Sequence, residues 1–199
     1  MSLPLPQRAA ALRKNDMLSK LYERNQETGN YIIEVALDRY GEVFNDWDHA
    51  SFRKRDMNPE LAFFLEDCIQ EIPAWHNIDL FFYLPKEAQI PEREKLITEL
   101  LRNYYNFYIT FENRQLQRAY KRLISYVVTA FLLLTGNILM GRQDNLFLNT
   151  LAQGLLVGGW VFLWEPISFL FMKRSENLRL IRTYTRLAAA NVFFRYEAK

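Results

Sequence analysis

The chain is predicted to be an α-rich, α+β membrane protein: a small, mostly parallel three-stranded sheet with helices, interrupted by a two-helix transmembrane hairpin. Three observations predict this. Residues 123–140 carry no formal charge, and residues 146–172 carry only Glu165. Each run is about as long as the roughly 20 apolar residues a helix needs to cross ~30 Å of hydrocarbon. Residues 141–145 between them permit only a tight turn, so the two runs form a hairpin. On both sides of it, period-2 segments alternate with helical ones, the pattern of strand–helix–strand units that pair in parallel through right-handed crossovers.

Taken in order, residues 7–27 hold Leu12, Leu18, Leu21 and Tyr22 at loose helical spacing, and a surface helix ending near Gly29 is predicted. Residues 30–38 alternate, with Tyr31, Ile33, Val35 and Leu37 on one face, as in a strand with one side buried. Residues 39–57 mix Gly, Asn, Asp, Ser and charges, and read as a loop with a short turn. Asn58 and Pro59 supply an N-cap and an N1 proline for a helix ending at Ile72-Pro73. Its expected apolar stripe is Leu61, Phe64, Leu65, Cys68 and Ile72. Residues 78–84 form the second predicted strand, with Ile78, Leu80, Phe82 and Leu84 on one face.

Pro91-Glu92 opens a helix whose acidic first turn suits the helix dipole. Neither Pro nor Gly interrupts the chain from Glu92 to Thr135, so one continuous helix is expected to run into the first span. Its predicted stripe is Ile97, Leu100, Leu101, Tyr104, Tyr108 and Phe111. After Lys173 the helical spacing of Leu180, Ile181, Tyr184 and Leu187 continues, and residues 191–197 form the third strand. The expected organisation is therefore a cytoplasmic α/β part (1–122), the hairpin (123–172), and a helix and strand (173–199) that complete the sheet.

Flanking charge sets the expected orientation. Arg114, Arg118, Lys121 and Arg122 precede the first span, and Lys173, Arg174, Arg179, Arg182 and Arg186 follow the second. The tip has only Arg142, opposed by Asp144. The positive-inside rule places both termini in the cytoplasm, with Tyr120, Tyr126 and Trp164 in the interfacial belt. The first 16 residues lack the apolar core of a secretory signal, so the first span is expected to direct its own insertion.

Composition narrows the function classes. A net charge of +2 over 199 residues lacks the basic excess of a nucleic-acid binder. The mean hydropathy of −0.20 shows an ordinary water-exposed composition outside the hairpin. The lone Cys68 excludes an internal disulfide. No P-loop, GxGxxG or CxxC occurs, Ser51 has no nucleophile partner arrangement, and no enzyme or cofactor is predicted.

FNDWDHASFRKRDMNPELAFFLED (44–67) and GGWVFLWEPISFLF (158–171) resemble an uncharacterised family of bacterial two-span membrane proteins with a cytoplasmic α/β domain. The first family pattern runs Phe-Asn, Asp, Ser-Pro-Phe, Arg-Asp, then Glu on a helix. Phe44, Asn45, Asp48, Ser51, Phe52, Arg55 and Asp56 match it, without the proline between Ser and Phe. Trp164, Glu165, Pro166 and Lys173 resemble the family's Trp–Arg/Glu–Pro segment with its basic exit. The resemblance implies a shared fold and residence in a bacterial inner membrane, and carries no activity. Residues 165–169 also resemble part of the pore signature of the mitochondrial calcium uniporter. They depart from it in lacking the preceding acidic residue, in Trp spacing and in the late position of Glu165.

Candidate sites follow from the spans. Glu165 is the one ionisable residue inside them, and a carboxylate at a helix centre costs about 2.5–3.5 kcal/mol. Either a ring of Glu165 lines a cation path, with Trp160 and Trp164 beside it, or Glu165 is an interfacial anchor reaching toward the cytoplasmic boundary. Gly154, Gly158 and Gly159 form a small-residue groove for the hairpin's own helices or for neighbouring subunits. Asn137 and Gln153 stand at matching depths and are expected to hydrogen-bond between the helices. Asp46, Asp48, His49 and Asp56 crowd one loop without metal-ligand spacing. Arg53, Lys54 and Arg55 either bind an anionic headgroup or pair locally with that loop's carboxylates. The expected partners are membrane lipid and a second copy or another protein, with no nucleic acid.

Overall fold

The computed structural model describes residues 18, 20–49, 56–141 and 144–197, apart from the side chains at 172 and 173. In chain order the elements are β1 (Tyr31–Ala36), α1 (Pro59–Glu71), β2 (Ile78–Pro85), α2 (Pro91–Met140), α3 (Leu146–Ser168), α4 (Arg174–Ala188) and β3 (Asn191–Glu197). Two 3-10 turns, Tyr40–Val43 and Lys86–Ala88, and a π turn, Phe169–Lys173, join them. The chain divides into two compact units. One runs to Ile109 and resumes at Arg182; the other is Thr110–Ile181.

The first unit is built on a sheet of order β1-β2-β3, with both pairs parallel. The C-terminal strand returns to the sheet as its alternation predicts. Both crossovers step in the same direction, so right-handed connections lay the helices on a single face. Burial agrees. Tyr31, Ile33 and Val35 on β1, and Ile78, Leu80, Phe82 and Leu84 on β2, share one face and are buried. On the other face Glu34, Ala36 and Arg195 are exposed. Parallel sheets are ordinarily covered on both faces; among the described residues, 23–30 lie over the start of the second one, and Phe81 further along it is buried beneath Phe193 and Arg195.

The capping signals are realised. The Asn58 side chain accepts from the Glu60 N–H at 2.9 Å ahead of Pro59, and Glu92 and Glu94 occupy the first turn of α2. The helix expected to continue without a break is a single 50-residue element.

Three local expectations are corrected. The helix predicted over 7–27 has its described part at residues 18, 20 and 21, and the chain then turns. The Asn25 side chain accepts from Glu27 N, its carbonyl accepts from Gly29 N, and Gly29 has a φ of 73° that favours glycine. The buried stripe of α1 is Leu61, Ala62, Leu65 and Ile69, joined by Ile72, while Phe64 is exposed. The buried residues fall within about a 100° arc of the helix, and Phe64 lies outside it. In α2 the buried line is Ile97, Leu101 and Tyr105, a strict i, i+4, i+8 row, and Phe111 is exposed.

The second unit pairs the remainder of α2 with α3 in antiparallel fashion, through contacts such as Gly136 with Leu155 and Gly159 with Leu134. The Asn145 side chain caps α3 by accepting from Phe147 N at 2.9 Å. Two helical stretches are long and apolar enough to cross a membrane.

Candidate functional site

In the second unit, the helix–helix contact centres on Gly159. A Cβ there would stand 2.7 Å from Leu134 Cγ and Cδ2 and 3.3 Å from the Ala130 carbonyl. Gly158 has Leu133 at 3.5 Å, and Gly154 has no neighbour within 4 Å among the described residues. The close approach therefore comes from the third glycine of the groove. Asn137 Nδ2 donates to the Ala152 carbonyl at 2.7 Å, while the Gln153 side chain is exposed. One residue further along a helix turns the side chain by about 100°, which takes Gln153 away from the contact that the backbone of Ala152 makes.

Glu165 is exposed, and its carboxylate has no hydrogen-bond or ion-pair partner among the described residues. Trp160 and Trp164 are exposed beside it. Pro166 is buried and brings no N–H, so the Phe162 carbonyl loses its usual donor. The Phe169 N–H is shared between the Glu165 and Pro166 carbonyls, and the helix widens into the π turn that follows. The acidic residue thus adjoins a local break in the helical ladder, which composition alone does not disclose.

Arg53, Lys54 and Arg55 lie outside the described residues. Of the loop carboxylates, Asp48 Oδ2 accepts from Asp56 N at 2.8 Å and Asp56 Oδ1 accepts from Met57 N at 2.9 Å, and Phe44 bridges to Met57. Among the described residues no group of three His, Cys, Asp or Glu is placed to hold a metal.

The first unit contains polar centres that pattern reading missed. Asp79, in β2, is fully buried. It accepts from Asn25 Nδ2 at 2.7 Å, Thr28 Oγ1 at 2.5 Å, Asn30 Nδ2 at 2.8 Å and Asn191 Nδ2 at 2.9 Å. Burial opposes the charge, but these donors outweigh it and hold the carboxyl below its ordinary value. Alternation sets Asp79 on the face opposite Ile78 and Leu80 and says nothing of its burial. The available clue was the run of Asn25, Thr28 and Asn30, short polar side chains just ahead of a strand.

Arg186, in α4, donates to four carbonyls, those of Ile69, Ile72, Pro73 and His76, at 2.9–3.2 Å. It thereby satisfies the last turn of α1, whose C-terminus has no glycine cap. Tyr196 in β3 donates to Glu94 and shares a 2.6 Å contact with the Tyr40 hydroxyl, tying β3 to the start of α2. Burial and the Glu94 carboxylate raise its phenol well above the usual range.

The open face of the sheet carries aromatic rings and charge together. Phe81 stacks on Phe193 with centroids 4.8 Å apart, and the Arg195 guanidinium lies 4.5 Å above the Phe81 ring. Arg195 also donates to the Tyr83 hydroxyl, which donates to Glu34 at 2.6 Å. A cleft of about 590 Å³ opens between this floor and the segment Glu23–Glu27. Such a surface offers ring stacking and charge to a ligand. Comparison with protein-family models, with curated proteins and with solved structures finds no match.

Proposed function

We propose that this chain is an integral membrane protein whose sheet unit lies in the cytoplasm and mediates protein interaction or self-assembly. One observation carries the membrane reading. The most apolar windows of the two long helices are only 11% and 18% buried. Ile124, Phe131, Ile138, Phe147, Val157 and Val161 all stay exposed there. In water such a surface would drive aggregation; in hydrocarbon it is at equilibrium. The basic residues on both flanks favour cytoplasmic termini, in a bacterial inner membrane. The half-exposed rings of Tyr83 and Phe193 on the sheet face, and the backbone of the edge strand β3, support the interaction reading.

Reporter fusions at Lys199 and at Asp144 test the topology. Opposite readings, with the chain floating with vesicles after alkaline extraction, are expected; matching readings refute the hairpin. Glu165, exposed beside a π turn and without a partner among the described residues, supports a second reading, an oligomeric pore. Cation flux through liposomes that disappears in Glu165→Gln, with the assembly intact, would put that reading first.

A further inference from the structure

The two edges of the sheet are treated differently. The outer edge of β1 is covered: Ile32 N donates to the Glu23 carbonyl at 2.9 Å, and Arg24 bridges to Tyr31. The outer edge of β3 has no strand beside it among the described residues. Natural edges are blunted by proline, charged side chains, bulges or a cover; NVFFRYE has no proline, and its two charges, Arg195 and Glu197, stand on one face at its end. Val192, Phe193 and Phe194 stay half-exposed, whereas Phe82 beside them in β2 is fully buried.

We propose that β3 is a pairing edge for a second copy of this chain, joined antiparallel about Phe194; this rests on the self-assembly reading and names its surface. A two-fold axis perpendicular to the sheet sets residues of one face opposite each other. With Phe194 on the axis, Asn191 meets Glu197, Val192 meets Tyr196, and Phe193 meets Arg195, so the whole strand is paired. Each copy then sets Arg195 opposite the other's Phe193 and Glu197 opposite the other's Asn191, so no like charges face each other. Moving the axis to Arg195 sets two like charges opposite each other, which opposes pairing. Moving it to Phe193 pushes Tyr196 and Glu197 past the beginning of the partner strand. The self-complementarity of this one register favours a second copy over an unrelated strand.

The test uses the full chain in mild detergent with Cys68→Ser, measuring dimer dissociation by light scattering across concentration. Phe193→Arg and Phe193→Glu lose the same stacking on Phe81, but one sets like charge and the other opposite charge against Arg195 of the second copy. The proposal expects a dimeric parent, at least about tenfold weaker association in Phe193→Arg than in Phe193→Glu, and recovery in Phe193→Arg with Arg195→Glu. A spin label on the exposed Glu197→Cys reads the register without touching the core. Six residues of ladder separate the two labelled positions, on the order of 20 Å. A dimer with equal affinity in both Phe193 variants, or with labels beyond about 40 Å, overturns the β3 edge while self-assembly stands. A parent that stays monomeric overturns both.

Discussion

Gly159 is pressed against Leu134: a Cβ on the glycine would lie 2.7 Å from the leucine Cγ and Cδ2, with the Ala130 carbonyl at 3.3 Å. The backbone of α3 approaches α2 there because nothing projects from position 159. Gly159→Ala must displace Leu134 against a rigid carbonyl, at a cost of about 1–3 kcal/mol. Gly154→Ala meets open space and gains helix propensity, so it is expected to be neutral or mildly stabilising. Thermal unfolding in one detergent decides the matter; equal losses in the two variants would contradict this packing.

Asp79 gives the fold an acid-sensitive element. Its carboxyl titrates below the ordinary 3.8 in the folded chain, so the unfolded chain holds the proton more tightly. Its contribution is therefore complete above the unfolded value and is lost as pH falls through the folded one. Unfolding of the parent should show a stability decline below about pH 4 that Asp79→Asn flattens. Asp79→Ala, which strands four donors, is expected to cost about 3 kcal/mol at neutral pH.

Arg186 works through its planar fork. Lysine keeps the charge but cannot reach the carbonyls of Ile69, Ile72, Pro73 and His76 together. Arg186→Lys is expected to lose about 2 kcal/mol, and the exposed Arg182→Lys less than about 0.5. Denaturant midpoints at constant slope measure both, and equal shifts would remove Arg186 as the cap of α1.

Tyr105 is fully buried, and its hydroxyl has no hydrogen-bond partner among the described residues. Tyr105→Phe keeps the ring contacts with Tyr104 and Tyr184 and removes an unsatisfied group. It is expected to be neutral or to stabilise by about 1 kcal/mol. Tyr196→Phe, which breaks the bonds to Glu94 and Tyr40, should destabilise by a similar amount. A clear loss in Tyr105→Phe would mean that the hydroxyl has a partner.

The interior of the first unit was legible only in part. Alternation identified Tyr31, Ile33, Ile78, Leu80 and Phe82 as inward-facing, and they are buried. The helical stripes were displaced. Phe64 looks like core by hydrophobicity but is exposed, while Tyr105 is buried. A helix with apolar residues on more than one arc does not itself say which arc meets the sheet.

By itself the sequence determined what depends on neighbours along the chain. The caps at Asn58 and Pro59, the unbroken run of α2, the two long apolar helices and the strand–helix order all follow from local periodicity and backbone chemistry. Only the tertiary structure decided what depends on distant partners. Asp79 is a buried carboxylate because donors 49 to 112 residues away converge on it. Gly159 rather than Gly154 takes the close approach because of how α3 is rotated against α2. Among the described residues β3 is left as an edge because both crossovers step the same way and residues 23–25 lie along β1. Local pattern fixes which face of an element is apolar, but burial, pairing and charge are settled between elements, where separation along the chain carries no signal.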